Sequence, residues 1–301
     1  MANEHQGYRL HWRVSTEEAT WGTQPAEPDW KDVPQRNDGF QIDEKAGIYW
    51  PDVNVGGYMR AAGIKNTNDI SGSVNALLYP DSAERLLNMA LDRDDDGNLK
   101  SYSIQKREPI EQRAYYGCMV NQATLSFDNG GEVGLSLDII GKQAADASGE
   151  FTADPTYTTD VPFKFQDGVM ELPDGTVVGT IESGSITIAN GVQPGPFYGS
   201  TQLRSYLVSG SQVVNGSAVI AYNVTTYLTA LRAGNTSSFE IVLTHPTQTT
   251  DGKITILIPK MLLPDVPVRG GLGEVRKQTI NFEAEQPDSD DQIQATVENV
   301  T

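Results

Sequence analysis

Two tandem copies of one mainly β domain, each a sandwich or barrel with a single flanking helix, are the architecture this sequence predicts. Three observations carry the prediction. Short runs of alternating apolar and polar residues recur along most of the chain, which is the period of a half-buried strand. Glycine and proline (29 and 16 of 301 residues) punctuate those runs, while convincing helical stretches are few. One strand–corner–helix unit also occurs twice, with a constant spacing between its marks.

The first occurrence is residues 70–91, ISGSVNALLYPDSAERLLNMAL. Ile70, Gly72, Val74, Ala76 and Leu78 share one face of a strand, and Ser71, Ser73 and Asn75 the other. Pro80 removes a ladder donor and ends the strand. Asp81 reads as a helix N-cap, and Glu84 three residues on completes a capping-box pattern. Ala83, Leu86, Leu87, Ala90 and Leu91 then form one apolar stripe.

The second occurrence is residues 213–234, VVNGSAVIAYNVTTYLTALRAG. Val214, Gly216, Ala218, Ile220 and Tyr222 share a face, Asn223 takes the capping place, and Tyr227, Leu228 and Leu231 form the stripe before Gly234. Gly72-Ser73 matches Gly216-Ser217, Tyr79 matches Tyr222, and Leu86 matches Leu228. Gly130-Gly131 and Gly270-Gly271 each precede a further strand. All four offsets lie between 140 and 144 residues, which reads as an internal duplication.

Taken in order, residues 1–30 show no period long enough for an element, and Trp12, Trp21 and Trp30 are expected to anchor this arm. Residues 31–66 read as a long loop with apolar islands at Phe40–Ile42 and Gly47–Pro51. A connection of that length is either disordered or used. Its aromatic cluster fits a partner surface or an intradomain packing loop. Strands are expected over 99–107 and 112–127, with a hairpin turn at Asp128–Gly131. Val133, Leu135, Leu137 and Ile139 alternate with Gly134, Ser136 and Asp138. Ala144–Asp160, small and polar, reads as a linker. The second copy opens at Phe163–Phe165 and continues through strands at 169–172 and 177–188. A loop through Pro194, Pro196, Phe197 and Tyr198 precedes the repeated unit, and strands at 239–243, 253–261 and 274–284 follow it. Gln286–Thr301 is expected to be a mobile acidic tail. The divisions are therefore 1–158, 159–285 and 286–301.

The chemistry looked for is mostly missing. His5, His11 and His245 are the three histidines, and none has a nucleophile at a catalytic spacing. No phosphate-binding glycine loop occurs, because Gly270–Gly273 lies between strands. The chain is thus expected not to be an enzyme. Cys118 is alone, so neither an internal disulfide nor a cysteine metal site can form, and its strand context makes it a small buried hydrophobe. No apolar run is long enough to span a membrane, and no basic-then-apolar leader is visible. The net charge of -18 disfavours a stable grip on phosphates. Asp92, Asp94 and Asp96 form a D-x-D-x-D-G opening suited to a calcium loop. However, Ser103 stands where a bidentate Glu is needed, and a solvated turn after the helix is the other reading. No other cofactor is suggested.

The order of motifs carries a resemblance. GSVNALLYPD-x-AERLLNMAL is followed by Gly117–Phe127, GGEVGLSLDIIGK, the restart VPFKF, SGSITIANGV, and a close at DGKITILIPKMLLPDVPVRGGLGEV. This resembles the tail tube (major tail) protein of long-tailed, non-contractile bacteriophages, over nearly the whole chain. The resemblance implies β-sandwich domains with a flanking helix, whose inner sheets join around a lumen into a β-barrel ring. For a two-domain chain it implies trimeric, pseudo-hexameric rings that stack into a conduit for DNA, which passes without specific binding. Strands at 70–79, 133–140, 213–222 and 274–282 are then candidates for the lumen wall, with their polar sides inward. Ile48, Tyr49, Trp50, Val53, Phe197 and Tyr198 are candidates for ring-to-ring contact. Expected partners are further copies of the chain, a tape measure protein and tail-end proteins, in a virion tail assembled in the host cytoplasm. A monomeric β-sandwich decoration module of a virion, and the inner tube of a contractile injection system, are the alternatives.

Overall fold

The computed structural model describes residues 10–49 (except 27), 64–147 (except 109, 110 and 129), 161–171 (except 166 and 167), 181–196, 207–221, 229, 237–269 (except 249), 276–285 and 292–298. Among them the protein is mainly β with one helix. The strands are β1 (His11–Glu17), β2 (Lys31–Val33), β3 (Gln35–Tyr49), β4 (Ile64–Leu77), β5 (Tyr102–Arg107), β6 (Gln112–Asp128), β7 (Gly134–Gly141) and β8 (Gln143–Asp146). They continue as β9 (Gly168–Glu171), β10 (Ile181–Ala189), β11 (Gln193–Pro194), β12 (Leu207–Val208), β13 (Val213–Ala221), β14 (Ser237–Thr244), β15 (Lys253–Asp265), β16 (Val268–Arg269), β17 (Lys277–Ala284) and β18 (Gln294–Glu298). The helix α1 (Pro80–Leu91) follows β4.

All described pairings are antiparallel, and one order organises them. The strands β3-β4-β7-β6 lie side by side, and β10-β13-β17-β15 continue from β6 in the same sheet. Each group of four has the same connectivity in sequence. Details repeat as well. A register shift falls between Val120 and Gln122 on β6 against β7, and another between Leu262 and Asp265 on β15 against β17. Such a bulge bends a long strand, and here it lets both strands cross between layers. The first part of β6 belongs with β2-β1-β5 on one side and β8 on the other. The first part of β15 lies likewise between β9-β14 and β18.

Glycine explains how tightly the hairpins coil. A Cβ on Gly72 would overlap the Gln41 carbonyl and come within 2.6 Å of Ile42 Cα, and one on Gly216 would overlap the Ser185 carbonyl and lie 2.5 Å from the Phe282 ring. Gly72 and Gly216, and Gln41 and Ser185, are each 144 residues apart. The same close approach of backbones therefore recurs in β3–β4 and β10–β13.

The alternation in β4 and β7 is as expected. Ile70, Val74, Ala76, Leu78, Val133, Leu135, Leu137 and Ile139 are all buried. They join residues of both halves, among them Ile186, Val214, Ile220, Ile256 and Phe282, in one hydrophobic cluster. The helix buries Ala83, Leu86, Leu87, Met89 and Ala90, and packs against β6, β2 and β18.

Several expectations are corrected. The capping box does not form. Tyr79 is the N-cap without a side-chain bond, Pro80 is the first helical residue, and Asp81 lies in the first turn. Proline suits that position because its fixed φ is helical and its missing N–H has no partner there anyway. The 31–66 stretch is not a loop throughout: β2, β3 and the start of β4 occupy its described residues. Phe40 and Ile42 are buried while Gln41 and Asp43 are exposed, so β3 has the strand period. The arm likewise holds β1, where Trp12 and Val14 are fully buried. Ala144–Asp146, placed in the linker by composition, belong to β8 (Gln143–Asp146). Phe163 and Phe165 bond across to segments flanking β4 and β7. Phe163 donates its N–H to the Leu78 carbonyl and accepts from Val133, and Phe165 donates to Gly131. The expected mobile tail contains β18, because Ile293, Ala295 and Val297 alternate and Glu298 stays exposed. The second helix, expected after Asn223, lies outside the described residues apart from Thr229.

Candidate functional site

The surface of interest is the polar face of the continuous sheet, together with its two outer borders. Along β4 the polar positions are Ser71, Ser73 and Asn75; along β10, Ser185 and Thr187; along β17, Thr279 and Asn281. All turn away from the core because their neighbours at odd spacing are buried. Charges include Asp43 and Lys45 on β3, Asp138 on β7, Lys277 on β17 paired with Glu182 on β10, and Asp265 and Glu283 toward the opposite border. Asp43, Lys45, Ser71, Ser73, Asn121 and Asp138 line a shallow hollow of this face. The described parts of the four strands proposed from sequence for one wall, at 70–79, 133–140, 213–222 and 274–282, fall on β4, β7, β13 and β17 of one sheet. Sequence reasoning missed that β3, β6, β10 and β15 complete it, and that the two groups join directly.

The junction is the β6–β10 ladder, in which Gln122 through Asp128 face Ala189 through Ser183. Phe127 covers Gly184 across it, where a Cβ would overlap the ring. A polar hub closes one end. Asn190 is fully buried, and its side-chain amide donates to the Ala90 carbonyl at 2.9 Å and the Val120 carbonyl at 3.0 Å. Its amide oxygen accepts from Arg93 and Gln212, each at 3.2 Å. One side chain thus ties α1, β6, the acidic turn and the entry to β13 together. The asparagine-glycine pair signals a turn, but nothing in the sequence announces this burial.

Neither outer border has a described strand on its far side. β3 pairs with β4 alone. The β15–β16 border pairs with β17 over Met261–Arg269. The Tyr115 hydroxyl donates to the Ile42 carbonyl at 3.1 Å, which ties β3 to the start of β6 beneath it. That tyrosine is held largely protonated, its pKa pushed up to about 12 chiefly by burial. Val268 is 38 % exposed on this border and Leu262 41 %.

The Asp92, Asp94 and Asp96 turn is organised by its own backbone. Asp94 accepts from the N–H groups of Asp96 and Asn98 at 3.0 and 2.8 Å, and the Asn98 bond is the main reason its carboxyl titrates below the usual value. Asp92 pairs with Lys100 at 3.0 Å, and Arg93 donates to the Gly97 carbonyl. No three metal-binding side chains converge among the described residues.

The N-terminal arm is fixed by a group sequence reasoning did not single out. Glu18 is buried, and its carboxylate accepts from Ser101, Ser103 and the N–H groups of Gly22 and Gly117 at 2.6–3.1 Å. Trp21 donates to the Gly117 carbonyl beneath Lys142, and Trp30 lies under Arg13. Cys118 is fully buried and its thiol pKa is pushed well up by desolvation, which leaves it unreactive. His245 is also buried. Its Nε2 faces the Val161 carbonyl at 2.9 Å while Nδ1 accepts from the Gln248 N–H at 3.0 Å, so it staples a turn to the connecting segment.

Of the proposed ring-to-ring residues, Ile48 stands 55 % exposed near the end of β3, and Tyr49 is the last residue of that strand. Trp50, Val53, Phe197 and Tyr198 lie outside the described residues. No described helix is long and apolar enough to cross a membrane.

A family model described as phage tail tube protein matches residues 14–298, and the chain belongs to that family. No curated protein matches it.

Proposed function

We propose that this member of the phage tail tube family polymerises into stacked rings of three copies, with pseudo-sixfold symmetry, and that the stack is the conduit through which DNA leaves the virion. Family membership makes it a structural component of the virion tail. The observation that carries the finer reading is the strand order. One sheet contains β3-β4-β7-β6 followed by β10-β13-β17-β15, so two equivalent units already stand side by side as neighbours in a ring would. An antiparallel sheet with two open borders is prone to uncontrolled pairing, and closure into a ring removes both borders.

On this reading the two units are copies of one domain, 1–158 and 159–285, and 286–301 is an appendage carrying β18. The polar face lines the lumen. Hydroxyls and amides with scattered carboxylates offer DNA no cluster of cations to hold its phosphates. Ile48, Tyr49, Trp50, Val53, Phe197 and Tyr198 make contacts between stacked rings. The tape measure protein occupies the lumen before ejection, and tail-end proteins cap the stack after assembly in the host cytoplasm. The role is structural and needs neither a catalytic group nor a cofactor.

Electron microscopy of the purified protein tests this. Hollow rods or annuli with threefold-averaged density are expected. Dispersed globules at high concentration would instead favour a monomeric decoration module.

A further inference from the structure

We infer that the β15–β16 border of one copy pairs antiparallel with β3 of the next, in a register that sets Asp265 opposite Lys45, Val266 opposite Glu44, Pro267 opposite Asp43 and Val268 opposite Ile42. This rests on the ring reading and specifies the joint that the reading leaves open.

The register comes from the joint the chain makes with itself. The ladders on β4 and β13 place β3 and β10 in correspondence at an offset of 144 residues, so Ile186 corresponds to Ile42 and Ala189 to Lys45. The ladders on β7 and β17 place β6 and β15–β16 in correspondence at 143, so Gln122 corresponds to Asp265 and Leu125 to Val268. Within the chain, Gln122 faces Ala189 and Leu125 faces Ile186. Carrying those pairs across gives the intermolecular register with no free choice.

Three features of the borders agree with it. The first is backbone direction. The Pro267 carbonyl accepts from the Thr279 N–H at 3.0 Å, so Pro267 faces β17 and its lack of an N–H leaves no gap on the outer side. By alternation, Val266 and Val268 turn their N–H and C=O groups outward. In the seam the Asn190 N–H donates to the Asn121 carbonyl at 2.8 Å, so by alternation Ile188 and Ile186 aim their backbone groups at β6, and their counterparts on β3, Glu44 and Ile42, aim outward. The residues that must exchange hydrogen bonds are therefore the ones aimed outward.

The second is exposed apolar area. Val268 is 38 % exposed, whereas its counterpart Leu125, covered by β10, is 3 % exposed. The third is charge. Asp265 and Lys45 both stand exposed on the polar face, and the register sets them directly across from each other, where opposite charges stabilise a pair of strands. A shift by one residue would lose this match and turn the two strands' faces against each other.

The test is the double variant Lys45→Cys with Asp265→Cys. Directly opposed residues of an antiparallel pair are close enough for a disulfide, and the native Cys118 is buried and does not compete. Mild oxidation of the assembled protein is expected to give a closed covalent trimer on a non-reducing gel, and the single variants no link. Rods that form but stay unlinked at 45 and 265, while Lys45→Cys with Pro267→Cys links instead, would overturn the register and leave the ring standing. Wild-type protein that never assembles would overturn the ring itself. Charge reversal is the second measurement, for cysteine variants that fail to fold. Lys45→Asp should weaken assembly up to about fivefold, and adding Asp265→Lys should recover it. Equal assembly in all of these proteins would also overturn the pairing.

Discussion

The β6–β10 seam and the outer borders of the same sheet are built from corresponding strands, but only the seam is covered on both sides. Leu125 and Ile186 meet in the seam and are buried; on the borders Ile42 is equally buried by the core beneath it, while Val268 is 38 % exposed. What differs is the neighbour, because the backbone directions and bulges correspond. An apolar residue at a sheet border can thus be placed by sequence for a contact that the isolated chain does not make.

The largest effect expected concerns the hairpins on which the correspondence rests. Gly72→Val should destabilise the chain by about 3 kcal/mol, because the new side chain has backbone against it, and Gly216→Val by a similar amount. Urea denaturation checks this, and a large effect at one glycine alone would break the equivalence of the two units. Next is the seam against the border. Leu125→Ala should lose about 3 kcal/mol of monomer stability. Val268→Ala should stay within about 0.5 kcal/mol in the same measurement, yet shorten or abolish rods seen by microscopy. Third is the polar hub at the end of the seam. Asn190→Ala orphans two buried carbonyls and should cost about 2 kcal/mol, with faster hydrogen exchange in the β6–β10 ladder as its mark.

The smallest effect is one of pH. The Asp94 carboxyl is held below the usual aspartate range, mainly by the Asn98 N–H. A carboxyl with a lowered folded pKa contributes stability that is present above its unfolded value and lost as pH falls through the folded one. The turn should therefore hold at neutral pH and loosen only below about pH 4, seen as shifts of the Asp96 and Asn98 amide resonances. Lys100, raised by its bonds to Glu17 and Asp92, keeps its charge throughout that range.

Periodicity made the central strands legible. In β4 and β7 one face is buried and the other polar, so alternation over eight residues was enough, and the glycine pair Gly72 and Gly216 marked two strands with the same close backbone approach. Short or one-sided signals failed. β1 offered only Trp12 and Val14, and β18 only three apolar residues in acidic surroundings. β3 was hidden because Asp43, Glu44 and Lys45 look like loop residues, although a border strand with one polar face tolerates them. Glu18 and Asn190 could not be found at all, since their burial depends on segments about 80–100 residues away. The acidic turn matches a calcium-loop opening in sequence, but its geometry depends on backbone N–H groups that no motif records.

Hydrogen–deuterium exchange, compared between dispersed and assembled protein, tests the border pairing most directly. The amides of Ile42, Glu44, Val266 and Val268 should become protected on assembly to the same level as those of Ala123 and Leu125, which the seam pairs with β10. Assembled rods in which those four amides exchange as fast as in the dispersed chain would contradict it.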